Sequence, residues 1–306
     1  MKSEFYRLAC TFYVSPGNER TYVVLSGLNE NMPAAMQLFE KLLADAQVNK
    51  EAYDNLVGDI LKARADAKLN QGQNFSRLMN YAMYGPKSPA TNLLTEAELA
   101  SMNPQELVDR IHNQNNYKHR ILYYGPSSSK DLLATIEQYH QVPATLKDIP
   151  AGNEYSYLET PATKVLVAPY EAKQIYMAQI SNLDKKYDPA IEPTRELYNE
   201  YFGGGMNSIV FQEMRETRGL AYSAWAGIMP PSYLKYPYTI RTQIATQNDK
   251  MIDAVNTFND IINNMPESEA AFKLAKEGLI NRMRTDRIIK SCLLYTSPSP
   301  RDISGS

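Results

Sequence analysis

YFGGGMNSIVFQEMRETRGLAYS, from Tyr201 to Ser223, is the densest stretch of the chain. Gly203, Gly204 and Gly205 end one helix, Asn207 stands where it can cap the next, and Ile209, Val210, Phe211 and Met214 give that second helix an apolar face. Arg215 follows Phe211 by four and so lies along the edge of that face. Gly219 then turns the chain into a strand bearing Tyr222, with Trp225 alternating to the opposite face as a core residue. Structural economy accounts for much of this: glycines stop helices, arginines complement helix C-termini, and strand tyrosines are most often core.

Working outward, the same strand pattern occurs near the start of the chain. LACTFYV at Leu8 to Val14 lies over LAYSAWA at Leu220 to Ala226, AMQLFEKLL from Ala35 lies over AVNTFNDII from Ala254, and Ala52-Tyr53 lies over Ala271-Phe272. Each copy reads strand, turn, strand, then two helices. In the first, Leu8 to Val14 and Tyr22 to Leu28 flank a Ser15-Pro16-Gly17-Asn18 turn, and helices begin at about Pro33 and Lys50. Further helices are predicted near Phe75 to Tyr84, from Asn103-Pro104-Gln105-Glu106, and from Ser127 to His140, with a short buried strand at Arg120 to Tyr124. The second copy predicts strands at Lys164 to Ala168, Gln174 to Ile180, Ala221 to Gly227 and Tyr238 to Ala245. Its helices fall at Thr194 to Phe202 and Ser208 to Thr217, then from Lys250 and Ser268.

The class is therefore α+β: two repeated modules, each an antiparallel sheet packed with helices. The first occupies 1–140 and the second 163–290, joined by a linker at 141–162 that holds Pro143, Gly152, Pro150 and Pro161 without an apolar period. Superposing the copies predicts that both are truncated, the first before Met1 and the second after Lys290, by roughly fifty residues each; Met1 then reads as an internal methionine. The segment CLLYTSPSPRD at 292–302 has no period and resembles a translated sequencing adapter, so 291–306 reads as an artefactual tail and Cys292 carries no chemistry.

Lys and Arg number 32 against 34 Asp and Glu, and the basic residues are scattered, which argues against nucleic acid or an anionic membrane as a partner. The first thirty residues show no basic-then-apolar signal pattern, and no apolar run approaches the ~20 residues of a spanning helix. Two cysteines and three histidines leave little for metal chemistry. His112, His119 and His140 are read as surface or helix-capping residues, and Cys10 as a buried strand thiol, its use as a nucleophile surviving only as a formal alternative.

The Tyr201 to Ser223 stretch resembles the C-terminal signature of the pitrilysin/insulinase-type (inverzincin) zinc metallopeptidases, whose modules are repeated α+β units of about this length. The resemblance extends over nearly all of Arg7 to Lys290 and implies the third and fourth of four modules. In catalytically complete members an Arg and a Tyr seven residues apart in the last module reach across a closed chamber to substrate at the zinc; Arg215 and Tyr222 match that spacing. Gly203, Gly204 and Gly205 stand where related processing peptidases place a longer glycine-rich loop that touches substrate. Under the same superposition Ser3 and Cys10 occupy the places of Arg215 and Tyr222 in the first copy, which thus keeps the scaffold and lacks the pair.

Peptide hydrolysis passes through an oxyanion, and a phenolic O–H or guanidinium beside it supplies a donor aimed at the developing charge. The HxxEH motif, which would bind zinc and supply a general base, does not occur in the sequence. The resemblance therefore implies a substrate-chamber wall that is inactive alone and binds no cofactor itself. Zinc would be held by an upstream catalytic half, in the same chain or a partner subunit, and the substrate would be a peptide or small protein. The alternative is a non-catalytic homologue acting as a peptide-binding or structural partner. Bacterial relatives of this type are often exported, so a periplasmic or exported parent is compatible with the resemblance.

Overall fold

The computed structural model describes residues 2–17, 20–231 and 233–286; Asn18 of the predicted turn and the tail at 291–306 lie outside the described residues. Helices and small antiparallel sheets alternate along the chain, which is the α+β class the sequence predicts. Two compact units form, one from Met1–Ala63 and Leu94–Glu154, the other from Arg64–Leu93 and Tyr155–Arg287.

In the first unit a short helix, α1 (Lys2–Arg7), leads into a hairpin of β1 (Cys10–Pro16) and β2 (Thr21–Gly27), paired from Cys10 with Gly27 to Pro16 with Thr21. Ala9 sits in the left-handed region at φ 48°, which reverses the chain between helix and strand. Helix α2 (Met32–Ala44) carries Pro33 in its first turn, where the missing N–H costs nothing, and buries Ala35 and Phe39 against Phe5 and Cys10. Phe12 joins the two other rings, its centroid 4.8 Å from that of Phe5 and 5.8 Å from that of Phe39. Gly27 has to be glycine, since a Cβ there would lie 2.3 Å from the Cys10 sulfur. Helix α3 (Lys50–Lys68) follows, then α4 (Gln71–Tyr84), which belongs to the second unit and is capped by Asn70, whose side chain accepts from the Gln73 N–H. The chain returns to the first unit for α5 (Glu96–Ser101), α6 (Gln105–His112) and α7 (Ser129–Tyr139), the last capped by Ser128.

Two predicted strands do not form. Residues 120–124 take no regular secondary structure and pair with no strand among the described residues, and Ile121 and Tyr124 are exposed instead of buried. Lys164 to Ala168 likewise stays outside the sheet, with Val165 and Val167 among the most exposed apolar side chains described. Alternation of apolar residues marks a chain able to pair, but a strand also needs a partner edge, and here neither segment has one among the described residues.

The second unit is built on a three-stranded antiparallel sheet in the order β3 (Gln174–Lys186), β5 (Pro237–Gln247), β4 (Ser223–Met229). One face, including Met177, Ile244, Ala224 and Ala226, packs on α8 (Glu192–Phe202), α9 (Ile209–Phe211) and α10 (Met251–Asn263) through Phe202, Val210 and Phe258, all at most 1% exposed. Helix α11 (Glu269–Thr285) closes the set, with Ala275 in the same core. Equivalent positions of the repeat do equivalent work: Ala35 and Phe39 in the first copy, Ala254 and Phe258 in the second, each bury against their own hairpin. Trp225, expected in the core, lies on the opposite sheet face from Ala224 and Ala226 and is 36% exposed. No helix among the described residues is long and apolar enough to cross a membrane.

Helix α8 is tied to the sheet by a half-buried polar cluster. Arg195 Nη2 donates to Glu192 Oε2 at 2.8 Å, its Nη1 donates to the Ile228 carbonyl at 3.1 Å, and the Tyr238 hydroxyl donates to Glu192 Oε1 at 2.6 Å. The bonds from Arg195 hold the Glu192 carboxyl below its ordinary 4.5, while burial pushes the Tyr238 phenol up. A depressed carboxyl stabilises the fold at pH above its unfolded value and loses that contribution as pH falls through the folded one. The Tm advantage of the parent sequence over Glu192→Gln is therefore expected to be full at pH 6 to 7 and to shrink below about 4.5. Thermal melts of both proteins from pH 7 to pH 3 measure it, and an advantage independent of pH would refute the ion-pair account.

Candidate functional site

Tyr201 to Ser223 folds into the end of α8, a glycine turn, α9, a π-helical turn at Gln212–Thr217 and the start of β4. Ser208 caps α9 in place of the expected Asn207: its hydroxyl accepts from the Phe211 N–H and donates to the Gly205 carbonyl at 2.6 Å. The predicted single helix over Ser208 to Thr217 thus widens after Phe211. Widening inserts one residue per turn, which lets Met214 stay fully buried while Arg215 emerges half-exposed beside it.

Two anchors fix the path from Arg215 to Tyr222. The Met214 carbonyl accepts from the N–H groups of Leu220 and Ala221, and Gly219, at φ 57°, makes the left-handed turn that brings the chain back toward the sheet. The Leu220 carbonyl accepts from Thr246 Oγ1 at 2.5 Å and the Gly219 carbonyl from Lys250 Nζ at 2.9 Å. Tyr222 then enters just ahead of β4, its N–H bonded to the Ala245 carbonyl at 2.8 Å.

The result brings Arg215 and Tyr222 together. The guanidinium carbon lies 5.8 Å from the Tyr222 ring centroid and 5.1 Å from that of Phe211, within cation–π range of both, and Glu216 stands 3.8 Å from Arg215 Nε. Tyr222 is 69% exposed, and its hydroxyl has no hydrogen-bond partner among the described residues. A core tyrosine buries its ring; this one presents ring and hydroxyl outward next to a cation, an arrangement suited to donating hydrogen bonds to an incoming carbonyl or oxyanion.

The three glycines divide. A Cβ on Gly203 would lie 2.3 Å from the Ala226 carbonyl oxygen, and one on Gly204 would lie 2.7 Å from the Asn199 carbonyl oxygen, so close packing within the unit accounts for both. Gly205 is exposed and meets nothing nearer than Glu200 Oε1 at 3.8 Å. In the first copy Cys10 is 4% exposed and its thiol donates to the Leu8 carbonyl at 3.2 Å, the packing of an inert strand cysteine. Among the described residues no group of three or more His, Cys, Asp or Glu side chains could hold a metal ion, so these residues do not fit a catalytic zinc.

The fold is an α+β module, and among its described residues no group of three or more metal-ligating side chains gathers. Residues 120–279 match the family model described as the peptidase M16 inactive domain, and the chain belongs to that family. No curated protein sequence matches it. Among solved structures, the peptidase M16 inactive domain from Pseudomonas fluorescens is 18% identical with a TM-score of 0.62, the match covering 99% of this chain and 70% of that one. The periplasmic protease PqqL from Escherichia coli is 14% identical with a TM-score of 0.71, over 96% of this chain and 33% of that one. A mutant of the ferredoxin protease FusC in complex with Arabidopsis ferredoxin is 11% identical with a TM-score of 0.65, over 92% and 31%. At these identities the likeness is one of fold, and the chain spans about a third of the two proteases.

Proposed function

We propose that this chain is the non-metal-binding C-terminal half of an M16-type zinc metalloendopeptidase, forming part of the substrate chamber wall, with Arg215 and Tyr222 as its contacts to substrate and transition state. The zinc, held by an upstream half in the same chain or a partner subunit, supplies Lewis acidity for peptide hydrolysis. Arg215 and Tyr222 bind the scissile region and direct their donors at the oxygen on which negative charge develops. Gly205, open to solvent, lets an extended peptide backbone approach; Gly203 and Gly204 share that loop and brace it. Two modules, at 1–140 and 163–290, joined at 141–162, complete this picture, the first being the degenerate copy.

The observation that supports it best is the outward, adjacent placement of Arg215, on a π-helical turn, and Tyr222, just ahead of β4, in a chain of this family. The 306-residue chain alone should cleave no fluorogenic peptide, whether or not Zn²⁺ is added. Chelator-sensitive cleavage by the isolated chain would overturn the assignment of the metal to another half. The competing role, a peptide-binding or structural partner without catalysis, is separated by the upstream sequence: HxxEH with a distal Glu supports the enzyme, and its absence supports the partner.

A further inference from the structure

The two copies of the repeat coincide element for element after their hairpins. A 3₁₀ turn, a helix and a second helix begin at Asn29, Met32 and Lys50 in the first copy and at Asn248, Met251 and Glu269 in the second, one constant displacement. The hairpins agree as well: Phe12 pairs with Leu25 and packs on its core, as Ala224 pairs with Ile244 and packs on its own. Equivalent residues nevertheless differ in what covers them. In the second copy β5 runs between β4 and β3, with Met177 opposite Ile244, and Ile244 is fully buried. In the first, β1 is the one strand paired with β2 among the described residues, and Val23 and Leu25 stay half-buried.

The helices repeat the contrast. Helix α11 packs on α8: the ring centroids of Tyr201 and Phe272 are 6.0 Å apart, Arg282 Nη1 donates to Glu200 Oε2 at 3.0 Å, and Ala275 joins the core. Its counterpart α3 supplies none of the described residues of the first core, and Leu56, in the place of Ala275, is 49% exposed against 7%. With Tyr53, Val57 and Ile60, Leu56 forms a stripe along one face of α3. Both gaps answer to one continuous stretch of the second copy, residues 174–202, which supplies β3 and then α8.

We propose that the open edge of β2 and the stripe on α3 form one docking surface for a strand-then-helix segment of the 174–202 pattern, carried ahead of Met1 in the parent chain. The strand adds antiparallel to β2 and sets an apolar side chain opposite Leu25, as Met177 stands opposite Ile244. The helix lays aromatic side chains along α3, as Tyr201 meets Phe272 on α11. Connectivity selects the same chain as the source. Helix α8 leads through residues 203–208 to α9 and the Gln212–Thr217 turn ahead of β4, and α1 holds the place of that turn ahead of β1, so a helix docked on α3 ends a short loop from Lys2. The surface exists without its occupant, because the Tyr53 hydroxyl donates to the Leu99 carbonyl at 2.6 Å and so holds α3 in the first unit. The inference rests on the two-module part of the function proposed above and not on its catalytic part.

Amide hydrogen exchange, read by mass spectrometry, compares the 306-residue chain with the same chain extended upstream by the parent's own residues. Peptides covering 23–26 and 53–61 should exchange at least about tenfold more slowly in the extended chain. Leu56→Gln should leave the Tm of the 306-residue chain within about 1 °C, since the side chain is half-exposed and glutamine is as good a helix former. In the extended chain, where the docked helix buries the leucine, it should lower Tm by about 4 °C or more. No slowing, slowing at β2 or α3 alone, or an equal effect of Leu56→Gln in both chains would overturn the proposal. Protection of the 306-residue chain that grows with its concentration would overturn it too, by giving the surface to a second copy, as would protection that needs the upstream half added as a separate chain. None of these outcomes alters whether the isolated chain cleaves peptide, so the docking surface and the catalytic reading fail separately.

Discussion

Tyr222→Phe, introduced into a parent protein that carries the HxxEH half, is expected to lower kcat by about 100-fold with little change in KM. The variant removes one oxygen and nothing else. The ring stays, so the contact with the Arg215 guanidinium at 5.8 Å stays, and the Tyr222 N–H keeps its bond to the Ala245 carbonyl. Because the side chain is 69% exposed and its hydroxyl bonds nothing within the described residues, stability should change by no more than about 0.5 kcal/mol. Any loss of rate is then chemical. A donor used only in the transition state lowers kcat; a donor that merely holds substrate raises KM. Arg215→Ala should do both under the proposed role, in which its charge contacts substrate as well as the transition state; the variant also removes the guanidinium from over the Phe211 ring. Unchanged kcat in Tyr222→Phe would remove Tyr222 from the site and leave Arg215 as a binding contact alone.

What pointed to this pair was its seven-residue spacing in a stretch that resembles a family signature; the repeat, whose first copy lacks the pair, was legible for a different reason, because core positions recur. Ala35 and Phe39 against Ala254 and Phe258 are the same two apolar residues at the same helical interval, and burial preserved both pairs. Long-range pairing was far less legible. Residues 120–124 and 164–168 have the composition of strands, but composition cannot name a partner edge, and none is there among the described residues. Trp225 shows a related limit. Alternation correctly separates it from Ala224 and Ala226, yet which face of a sheet is covered depends on where the helices land, and they land on the alanine side. The widened turn at Gln212–Thr217 was invisible for a finer reason: a π-turn shifts the apolar period by one residue, too little to see over a single helix. His119 and His140 lie twenty-one residues apart, and their ring nitrogens meet at 2.8 Å only because the end of α7 and the segment before Arg120 both approach α2 at Glu40.

Gly203→Ala is expected to destabilise the second unit by about 1–3 kcal/mol, roughly 2–4 °C of Tm for each kcal/mol. The added methyl would lie 2.3 Å from the Ala226 oxygen and 2.6 Å from the Ala226 nitrogen, both backbone atoms of β4. No rotamer can relieve that contact, so α8 or β4 must move. Both are held: Asn199 bonds Ile228 in both directions, its Nδ2 to the carbonyl at 2.9 Å and its Oδ1 from the N–H at 2.8 Å, and Ala226 and Phe202 on either side are at most 1% exposed. Replacing glycine also removes freedom from the unfolded chain, a gain of about 0.4–1 kcal/mol, but overpacking against fixed backbone outweighs it. Gly205→Ala supplies the contrast. Its Cβ would meet only Glu200 Oε1 at 3.8 Å, so the unfolded-state gain stands alone and stability should be equal or slightly higher. Thermal melts of the two variants separate packing from function within one three-residue turn. If Gly203→Ala melts with the parent, α8 and β4 are less tightly joined than these distances require. If Gly205→Ala keeps its Tm yet raises KM in the intact peptidase, that glycine is kept open for the substrate and not for the fold.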